Sequence, residues 1–274
     1  MFKIIIMALL IFIGMVGYDN ITDKAQPTTP VQQEQQKVSK HEKSAAMALF
    51  VSLLPPKEEW PSPVHKFYLA FNMDEVIDPV RQNPKWTSLD AMSRDIPQAL
   101  IAIEDHAFYN HGAIAVEGIL RAALANINAG EVVQGGSTLT QQFVKNVFLS
   151  HEQSMERKIE EAVLSLMLED NYSKDEILEL YLNTTYFGAG STGIRQASKT
   201  YFGKAPSALT LAEAAVIASL PYAPTSLNPL ENPEGCKKRQ LLVLAAMHKY
   251  GMINQGQLAE AKAEKIRLTN GTVM

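Results

Sequence analysis

The chain has 274 residues, enough for one large domain or two small ones, and 46% of them are hydrophobic. Its 25 basic and 29 acidic residues give a formal net charge of −4, which argues against a protein that chiefly binds nucleic-acid phosphates. The one cysteine excludes an internal disulfide and a cysteine-rich zinc cluster, so the fold must rest on apolar packing.

An uncharged apolar run, residues 4–18, follows a single lysine near the start of the sequence. The run is short for a membrane-spanning helix, which needs about 20 apolar residues, and no clear small-residue cleavage site follows it. Residues 1–18 are therefore interpreted as a signal anchor or a signal peptide. Residues 19–60 are predicted to form a polar tether, rich in Gln, Pro and Thr, with a short apolar segment near its end. Residues 61–274 then make a single folded domain.

Helix start and stop signals recur through the rest of the chain, so the fold is predicted to be mainly α. Capping boxes predict helix starts at Ser173/Glu176, Thr210/Glu213 and Asn254/Gln257. Glycines at 188, 190 and 193 match the dinucleotide-binding fingerprint. A predicted helix rather than a strand precedes these glycines, so the match is interpreted as chance.

The first segment with the residues for chemistry is 104–112, which begins where an apolar helix runs into a polar turn. A carboxylate on an apolar floor has a raised pKa and suits proton transfer near neutral pH, which makes Glu104 a candidate acid or base. The alternative is that Glu104 and Asp105 are solvated residues at a helix end, with His111 helping to close the turn.

The second segment, 135–142, combines paired glycines with hydroxyl and amide side chains, and Lys145 follows it. Glycines let the backbone approach a bulky ligand, and these side chains suit a sugar or a phosphate. The candidate ligand-binding side chains are Ser137, Thr138, Gln141 and Gln142. The alternative interpretation is a helix N-cap at Ser137 or Thr138, and both interpretations are compatible because a capped helix N-terminus is itself an anion site.

The third segment predicts a helix that carries a charged cluster on one side. Apolar residues at helical spacing, predicted to form its buried face, are Ile159, Val163 and Leu166. Arg157, Lys158 and Glu161 share the opposite side at spacings of three and four. Taken alone, this cluster favours an ordinary surface ion pair.

The fourth and fifth segments, 174–183 and 239–244, are helical and mostly core by their apolar spacing. The five segments together have these patterns: Glu-Asp-x-x-Phe-x-x-His at 104–111, Gly-x-Ser-Thr-x-Thr-Gln-Gln at 135–142, Arg-Lys-x-x-Glu at 157–161, Lys-x-x-Ile-Leu-x-x-Tyr-x-Asn at 174–183 and Arg-x-x-x-Val-Leu at 239–244. In this order and at these spacings they resemble the family-51 glycosyltransferases. These are peptidoglycan polymerases that occur alone or as the N-terminal domain of class A penicillin-binding proteins.

The resemblance covers about residues 60–265 and implies a mainly α, lysozyme-like fold with two lobes, a head and a smaller membrane-facing lobe, behind an N-terminal membrane segment. It implies lipid II and the growing glycan strand as substrates, the cytoplasmic membrane and cell-wall synthesis proteins as partners, and no nucleic acid. The catalytic domain is expected on the outer side of the bacterial cytoplasmic membrane. Because no penicillin-reactive motifs follow, we expect a monofunctional enzyme.

The resemblance also implies a role for each candidate residue. Glu104 would be the general base, and Glu161 would help the pyrophosphate to leave. Lys145, Arg157 and Lys158 would hold the charge of that leaving group. The sugar or phosphate contacts would be Ser137, Thr138, Gln141 and Gln142, with Asn183 and Arg239 supporting the cleft and Asn183 counted among the substrate-binding residues. No metal and no cofactor is expected.

Two rival functions remain open at this point: a lysozyme-like enzyme that cleaves glycan, and a non-catalytic scaffold that binds lipid II or the cell wall. The surface that meets lipid is predicted at residues 113–129 and 143–149, where apolar residues are dense.

Overall fold

The computed structural model describes residues 72–120, 135–149 and 154–274, together with Leu69 and Ile127. The predicted signal segment, 1–18, and the predicted tether, 19–60, lie outside the described residues. Residues 72–274 form one compact unit. Within the described part of the chain, no helix is both long and apolar enough to cross a membrane.

The described residues are mainly helical, as predicted. The α-helices are α1 (Asp74–Arg81), α2 (Asp95–Glu104), α3 (Leu139–Val147), α4 (Met155–Asn171), α5 (Lys174–Thr184), α6 (Ile194–Phe202), α7 (Leu211–Ser219), α8 (Pro233–Lys249) and α9 (Gln255–Ala263). Short 3-10 turns span Leu89–Ala91, Phe108–Asn110 and Pro206–Ala208, and residues 116–120 are also helical. Isolated antiparallel bridges join Tyr186 to Thr192 and Arg267 to Val273. The division into two lobes stays a prediction.

All three predicted capping boxes form. Ser173, Thr210 and Asn254 each accept a hydrogen bond from the backbone N–H three residues on, and a side-chain oxygen of the Glu or Gln there accepts one from the backbone N–H of the cap residue. Each box satisfies N–H groups that a helix start leaves unpaired, so these helix starts are fixed locally.

Helix α7 forms the centre of the core and packs against α2 and α8. Its small side chains at 212, 214, 215 and 218 are all buried. Small residues let neighbouring helix axes approach closely, so α7 brings the C-terminal end of α2 into a fixed relation with α8. Helix α3 packs against α4 and α5, and α9 packs against α8.

The predicted buried face of α4 is wrong. Ile159, Val163 and Leu166 are 62%, 49% and 54% exposed. The buried side instead carries Glu161, together with Leu164 and Leu168. Because α4 has apolar residues on both sides, helical spacing alone did not identify the side that packs, and the charged cluster faces inward.

The predicted lipid surface is corrected in one of its two parts. Phe143, Val144 and Leu149 are buried, so the apolar residues of 143–149 belong to the core. In the other part, Val116, Ile119 and Leu120 are exposed, at 63%, 45% and 60%.

The glycines at 188–193 lie in a tight turn that follows helix α5 and closes the Tyr186–Thr192 bridge. Gly188 has φ +86°, and a Cβ there would lie 2.3 Å from the Pro224 carbonyl oxygen. The glycine is therefore required for backbone packing. A helix precedes the turn, as expected for a chance match to the dinucleotide fingerprint.

Candidate active site

Glu104 is the last residue of α2, and its carboxylate lies at the edge of the core, partly exposed. Its Oε2 accepts a hydrogen bond of 3.0 Å from Gln142 Nε2 on α3. Burial raises the pKa of Glu104 above its ordinary value, whereas the Gln142 bond and the charges of Arg239 and Lys145 act in the opposite direction. The net effect is a carboxyl with a raised pKa, as the sequence predicted.

Asp105 joins the turn after α2 to the start of α3. Its Oδ2 accepts the Leu139 backbone N–H at 3.0 Å, and its Oδ1 lies 2.6 Å from His111 Nε2. The other ring nitrogen of His111 lies 2.6 Å from the Gly112 carbonyl oxygen. An acidic side chain at a helix N-terminus is favourable, because it pairs unsatisfied N–H groups and complements the helix dipole. Asp105 is therefore a structural link and not a solvated helix end.

The loop before α3 is held by a capping box, which confirms the N-cap prediction at Thr138. Thr138 Oγ1 accepts the Gln141 backbone N–H at 3.1 Å and donates to the Ala113 carbonyl at 2.7 Å. Gln141 Oε1 accepts the Thr138 backbone N–H at 3.0 Å. Both side chains are buried, at 1% and 3% exposure. These contacts form the frame of the loop, and the substrate contacts assigned to Thr138 and Gln141 stay predictions.

The charged cluster of α4 surrounds a buried carboxylate. The side chain of Glu161 is 2% exposed; Arg157 Nη1 lies 3.5 Å from its Oε2, and Lys158 Nζ contacts its Oε1. Lys158 Nζ also donates to Ser137 Oγ at 3.2 Å. The structure thus brings the second and third sequence segments together at one place. The interpretation as an ordinary surface ion pair is wrong, because Glu161 is removed from water.

Lys145 is exposed on α3, and its charge acts on Glu104. Asn183 lies on α5 and binds the backbone of the segment before α2. Its Oδ1 accepts the Thr87 N–H at 2.9 Å, and its Nδ2 donates to the carbonyls of Thr87 and Glu179 at 2.8 Å each. These three bonds fit the supporting role of Asn183, whereas its contact with substrate stays a prediction.

Two tyrosines of the site were missed by the sequence reasoning. Tyr181 was assigned to the core, and it is buried, but its hydroxyl donates to Gln142 Oε1 at 3.0 Å. Tyr222 was not singled out; the Arg239 guanidinium lies 4.1 Å from its ring centroid. For Tyr181 the sequence signal was its place in the pattern Lys-x-x-Ile-Leu-x-x-Tyr-x-Asn, whose apolar spacing favoured a core role. No local pattern indicated Tyr222.

A metal site is not indicated by the described residues, in which no group of three or more His, Cys, Asp or Glu side chains is placed to hold an ion. Lys158 at Ser137, together with Arg157 on the other oxygen of Glu161, instead suits an anionic ligand. The site therefore combines a carboxyl with a raised pKa and a cluster of cations fixed by a buried carboxylate. This pairing is typical of enzymes that couple proton transfer to stabilisation of a developing negative charge.

Comparison with known proteins agrees with this class. A family model described as Transglycosylase matches residues 72–248. Penicillin-binding protein 1A of Neisseria flavescens is 44% identical over 185 residues, which cover 68% of this chain and 23% of that protein. Penicillin-binding protein 1A of Aquifex aeolicus is 44% identical over 176 residues, covering 64% of this chain and 24% of that protein.

A third relative, from Cupriavidus necator, carries a name that assigns it provisionally to the transglycosylases. It is 42% identical over 188 residues, which cover 69% of this chain and 81% of that protein. The chain therefore belongs to the transglycosylase family. It spans about a quarter of the length of the two penicillin-binding proteins.

Proposed function

We propose that this chain is a peptidoglycan glycosyltransferase that polymerises lipid II into glycan strands and releases undecaprenyl pyrophosphate. The observation that carries the proposal is the convergence of two sets of side chains. Glu104 stands at the end of α2 beside α3, and Lys158, one of the two cations of α4, donates to Ser137 in the loop before α3. A family relationship alone would give the fold, whereas this arrangement supplies groups for both halves of a glycosyl transfer.

In the proposed reaction, the Glu104 carboxylate takes the proton of the 4-hydroxyl of the acceptor sugar. The freed oxygen attacks the anomeric carbon of the donor, the growing strand, from the face opposite its pyrophosphate, so the configuration inverts. The bond between that carbon and the pyrophosphate oxygen breaks, and its electron pair leaves with the pyrophosphate. A base with a raised pKa suits this step, because a general base works best when its pKa lies near the operating pH.

The negative charge of the leaving group develops where cations are already held. Arg157 and Lys158 are fixed by their contacts with the buried carboxylate of Glu161, so they need little rearrangement when substrate enters. Lys145, exposed on α3, adds a further charge.

The test is polymerisation of purified lipid II by the full chain, with glycan strands and undecaprenyl pyrophosphate as the two products measured. We expect Glu104→Gln to lower the rate by about 10²–10⁴-fold, the usual contribution of a general base. Glu234→Gln, at an exposed position in the first turn of α8, is the matched control and is expected to keep the wild-type rate.

Three outcomes would contradict the proposal. Full activity of Glu104→Gln would remove the role of that residue. Fragments released from finished peptidoglycan, without use of lipid II, would favour the glycan-cleaving enzyme instead. Binding of lipid II without turnover by the wild-type chain would favour a scaffold.

We also propose that the described domain works against the outer face of the bacterial cytoplasmic membrane. The support is a row of exposed apolar side chains along one side of α4, at spacings of three and four: Met155, Ile159, Val163 and Leu166. Exposed apolar rows of this kind are typical of interaction surfaces, and a lipid substrate makes the bilayer the natural partner.

An environment-sensitive fluorophore tests the membrane contact in the full chain. The native Cys236 is buried, so Ile159→Cys can be labelled selectively. We expect the emission of this label to shift to the blue when vesicles containing anionic lipid are added. A label on Leu242→Cys, at an exposed position of α8, is the control and is expected to stay in water. Identical responses of the two labels would contradict the proposed face.

A further inference from the structure

A chain of three side chains ends at the proposed base. The Tyr181 hydroxyl on α5 donates to Gln142 Oε1 at 3.0 Å, and Gln142 Nε2 on α3 donates to Glu104 Oε2 at 3.0 Å. Tyr181 is 1% exposed, so its hydroxyl has no access to bulk water as an alternative partner. The helices that carry the first two residues, α5 and α3, pack directly against each other.

The orientation of the Gln142 amide decides what it does to Glu104. With Nε2 towards Glu104, the amide donates to the carboxylate; with the amide turned over, its oxygen would face the carboxylate and repel it. The Tyr181 hydroxyl favours the first state, because of the two amide ends only Oε1 can accept its proton, and a turned amide would take this acceptor away from a buried donor. The pKa of Tyr181 is raised by burial and by the charge of Glu104, so Tyr181 stays protonated.

We propose that Tyr181 is a positioning residue for the general base: its hydroxyl locks the Gln142 amide in the orientation that donates to Glu104. The proposal rests on the proposed function only in taking Glu104 as the general base. The lock itself stands on the two hydrogen bonds and on the burial of Tyr181.

The other groups that face Glu104 do not supply this lock. Arg239 on α8 and Lys145 on α3 act through their charge and lower the pKa of Glu104, and Asp105 next to it raises that pKa. A charge at a distance favours the ionised carboxylate whichever way the amide points. Among the described residues, the ionised Glu104 carboxylate and the Tyr181 hydroxyl both favour this amide orientation, and the preference of the hydroxyl does not depend on the charge of Glu104.

Tyr181→Phe removes the hydroxyl and keeps the ring. We expect the acid limb of kcat/KM for lipid II polymerisation to move to higher pH by about one unit, the size of a lost hydrogen bond to a charged group. The rate on that limb then falls about tenfold. The rate well above the limb is expected to approach that of the wild type, because there the base is ionised in both proteins.

Tyr201→Phe is the matched control. Tyr201 lies on α6, is also fully buried, and does not belong to the three-residue chain. Its hydroxyl donates to the Phe187 carbonyl at 2.7 Å. We expect it to lower the melting temperature without moving the acid limb. A loss of stability in both variants with no shift of the limb in either would reduce Tyr181 to a packing role and overturn the proposal.

A double variant tests whether Tyr181 acts through the amide. Gln142→Leu removes both hydrogen bonds of the chain at once. We expect Tyr181→Phe to cause no further shift of the limb in that background, whereas equal shifts in the presence and absence of Gln142 would contradict the mechanism.

Two measurements without substrate separate this proposal from the proposed function. The ¹³C signal of the Glu104 carboxyl is expected to titrate at higher pH in Tyr181→Phe than in the wild type. In the wild-type protein, which needs no variant to fold, the ¹⁵N–¹H signals of the Gln142 amide are expected to titrate together with Glu104. Amide chemical shifts that do not change as Glu104 titrates would overturn the proposed role of Tyr181. A wild-type protein whose amide shifts follow Glu104 but which does not polymerise lipid II would overturn only the proposed function.

Discussion

The two carboxylates of the site are expected to respond to the same substitution in opposite directions. Glu104 carries a carboxyl whose pKa is raised mainly by burial, so the fold disfavours its ionised form. Glu161 is buried as well, but Arg157 and Lys158 contact both of its oxygens. Replacing each with Gln keeps shape and removes charge. Glu104→Gln should therefore stabilise the protein at neutral pH, and Glu161→Gln should destabilise it.

The expected sizes follow from what each charge contacts. Glu104 keeps one hydrogen bond from Gln142 and the attraction of two cations, so its substitution recovers only part of the desolvation cost, about 1 kcal/mol. Removing one partner of a fully buried ion pair costs about 3–5 kcal/mol. The Lys158 side chain is 44% exposed and can regain water, so we expect about 2 kcal/mol for Glu161→Gln.

The gain in Glu104→Gln has a defined pH dependence. Because the folded pKa lies above the unfolded value, both states are protonated below about pH 4 and the cost of the charge is absent there. The cost develops as the pH rises from the unfolded pKa towards the folded pKa and is complete above the folded pKa. The stabilisation should therefore be small at pH 4 and larger at pH 7.

Thermal unfolding followed by circular dichroism measures both effects, with Glu260→Gln, at an exposed position inside α9, as the control. For a domain of about 200 residues we expect the melting temperature at pH 7 to rise by about 2–4 °C in Glu104→Gln and to fall by about 4–8 °C in Glu161→Gln. A fall in both variants, or a gain for Glu104→Gln that is equal at pH 4 and pH 7, would refute the reasoning.

Three further substitutions test the turn after α5 and the surroundings of the base. Ala189 has φ +47°, so Ala189→Gly should raise the free energy of unfolding in urea by about 0.5 kcal/mol; a decrease would contradict this. Gly188→Ala should lower that free energy by about 3 kcal/mol, because its Cβ would lie 2.3 Å from the Pro224 oxygen at φ +86°; an unchanged urea midpoint would contradict this. Tyr222→Leu removes the ring beneath Arg239, so the acid limb of activity should move to higher pH, more at low salt; a limb that stays in place would show that the ring does not hold the guanidinium.

The helix starts were predictable because their signals are local. In the boxes at Ser173, Thr210 and Asn254, a side chain and a backbone N–H only three residues apart satisfy each other. Nothing elsewhere in the fold is needed to make these bonds favourable. The same holds for the N-cap at Thr138, where both partners lie within one helical turn.

The contacts that build the site join residues that lie far apart in the sequence, so local patterns did not predict them. Asp105 meets the N-terminus of α3 across 34 residues, and Tyr181 meets Gln142 across 39. The resemblance to a family selected Glu104 and Gln142 as functional residues. It did not indicate that one donates a hydrogen bond to the other, because that requires the packing of α2, α3 and α5 in three dimensions.

Helix α4 shows why helical periodicity predicted the wrong buried face. Its exposed side carries Ile159, Val163 and Leu166, and its inner side carries Glu161 between two cations. In a protein surrounded only by water, the opposite arrangement would be the more stable, because it would bury the apolar row and hydrate the charges. The observed arrangement becomes favourable if a phosphate ligand binds on the inner side and the proposed bilayer covers the outer side. The cations then gain an anionic partner, and the apolar row loses its contact with water. The inverted pattern of α4 thus supports, independently of Glu104, the proposal that this site takes an anionic substrate beside a bilayer.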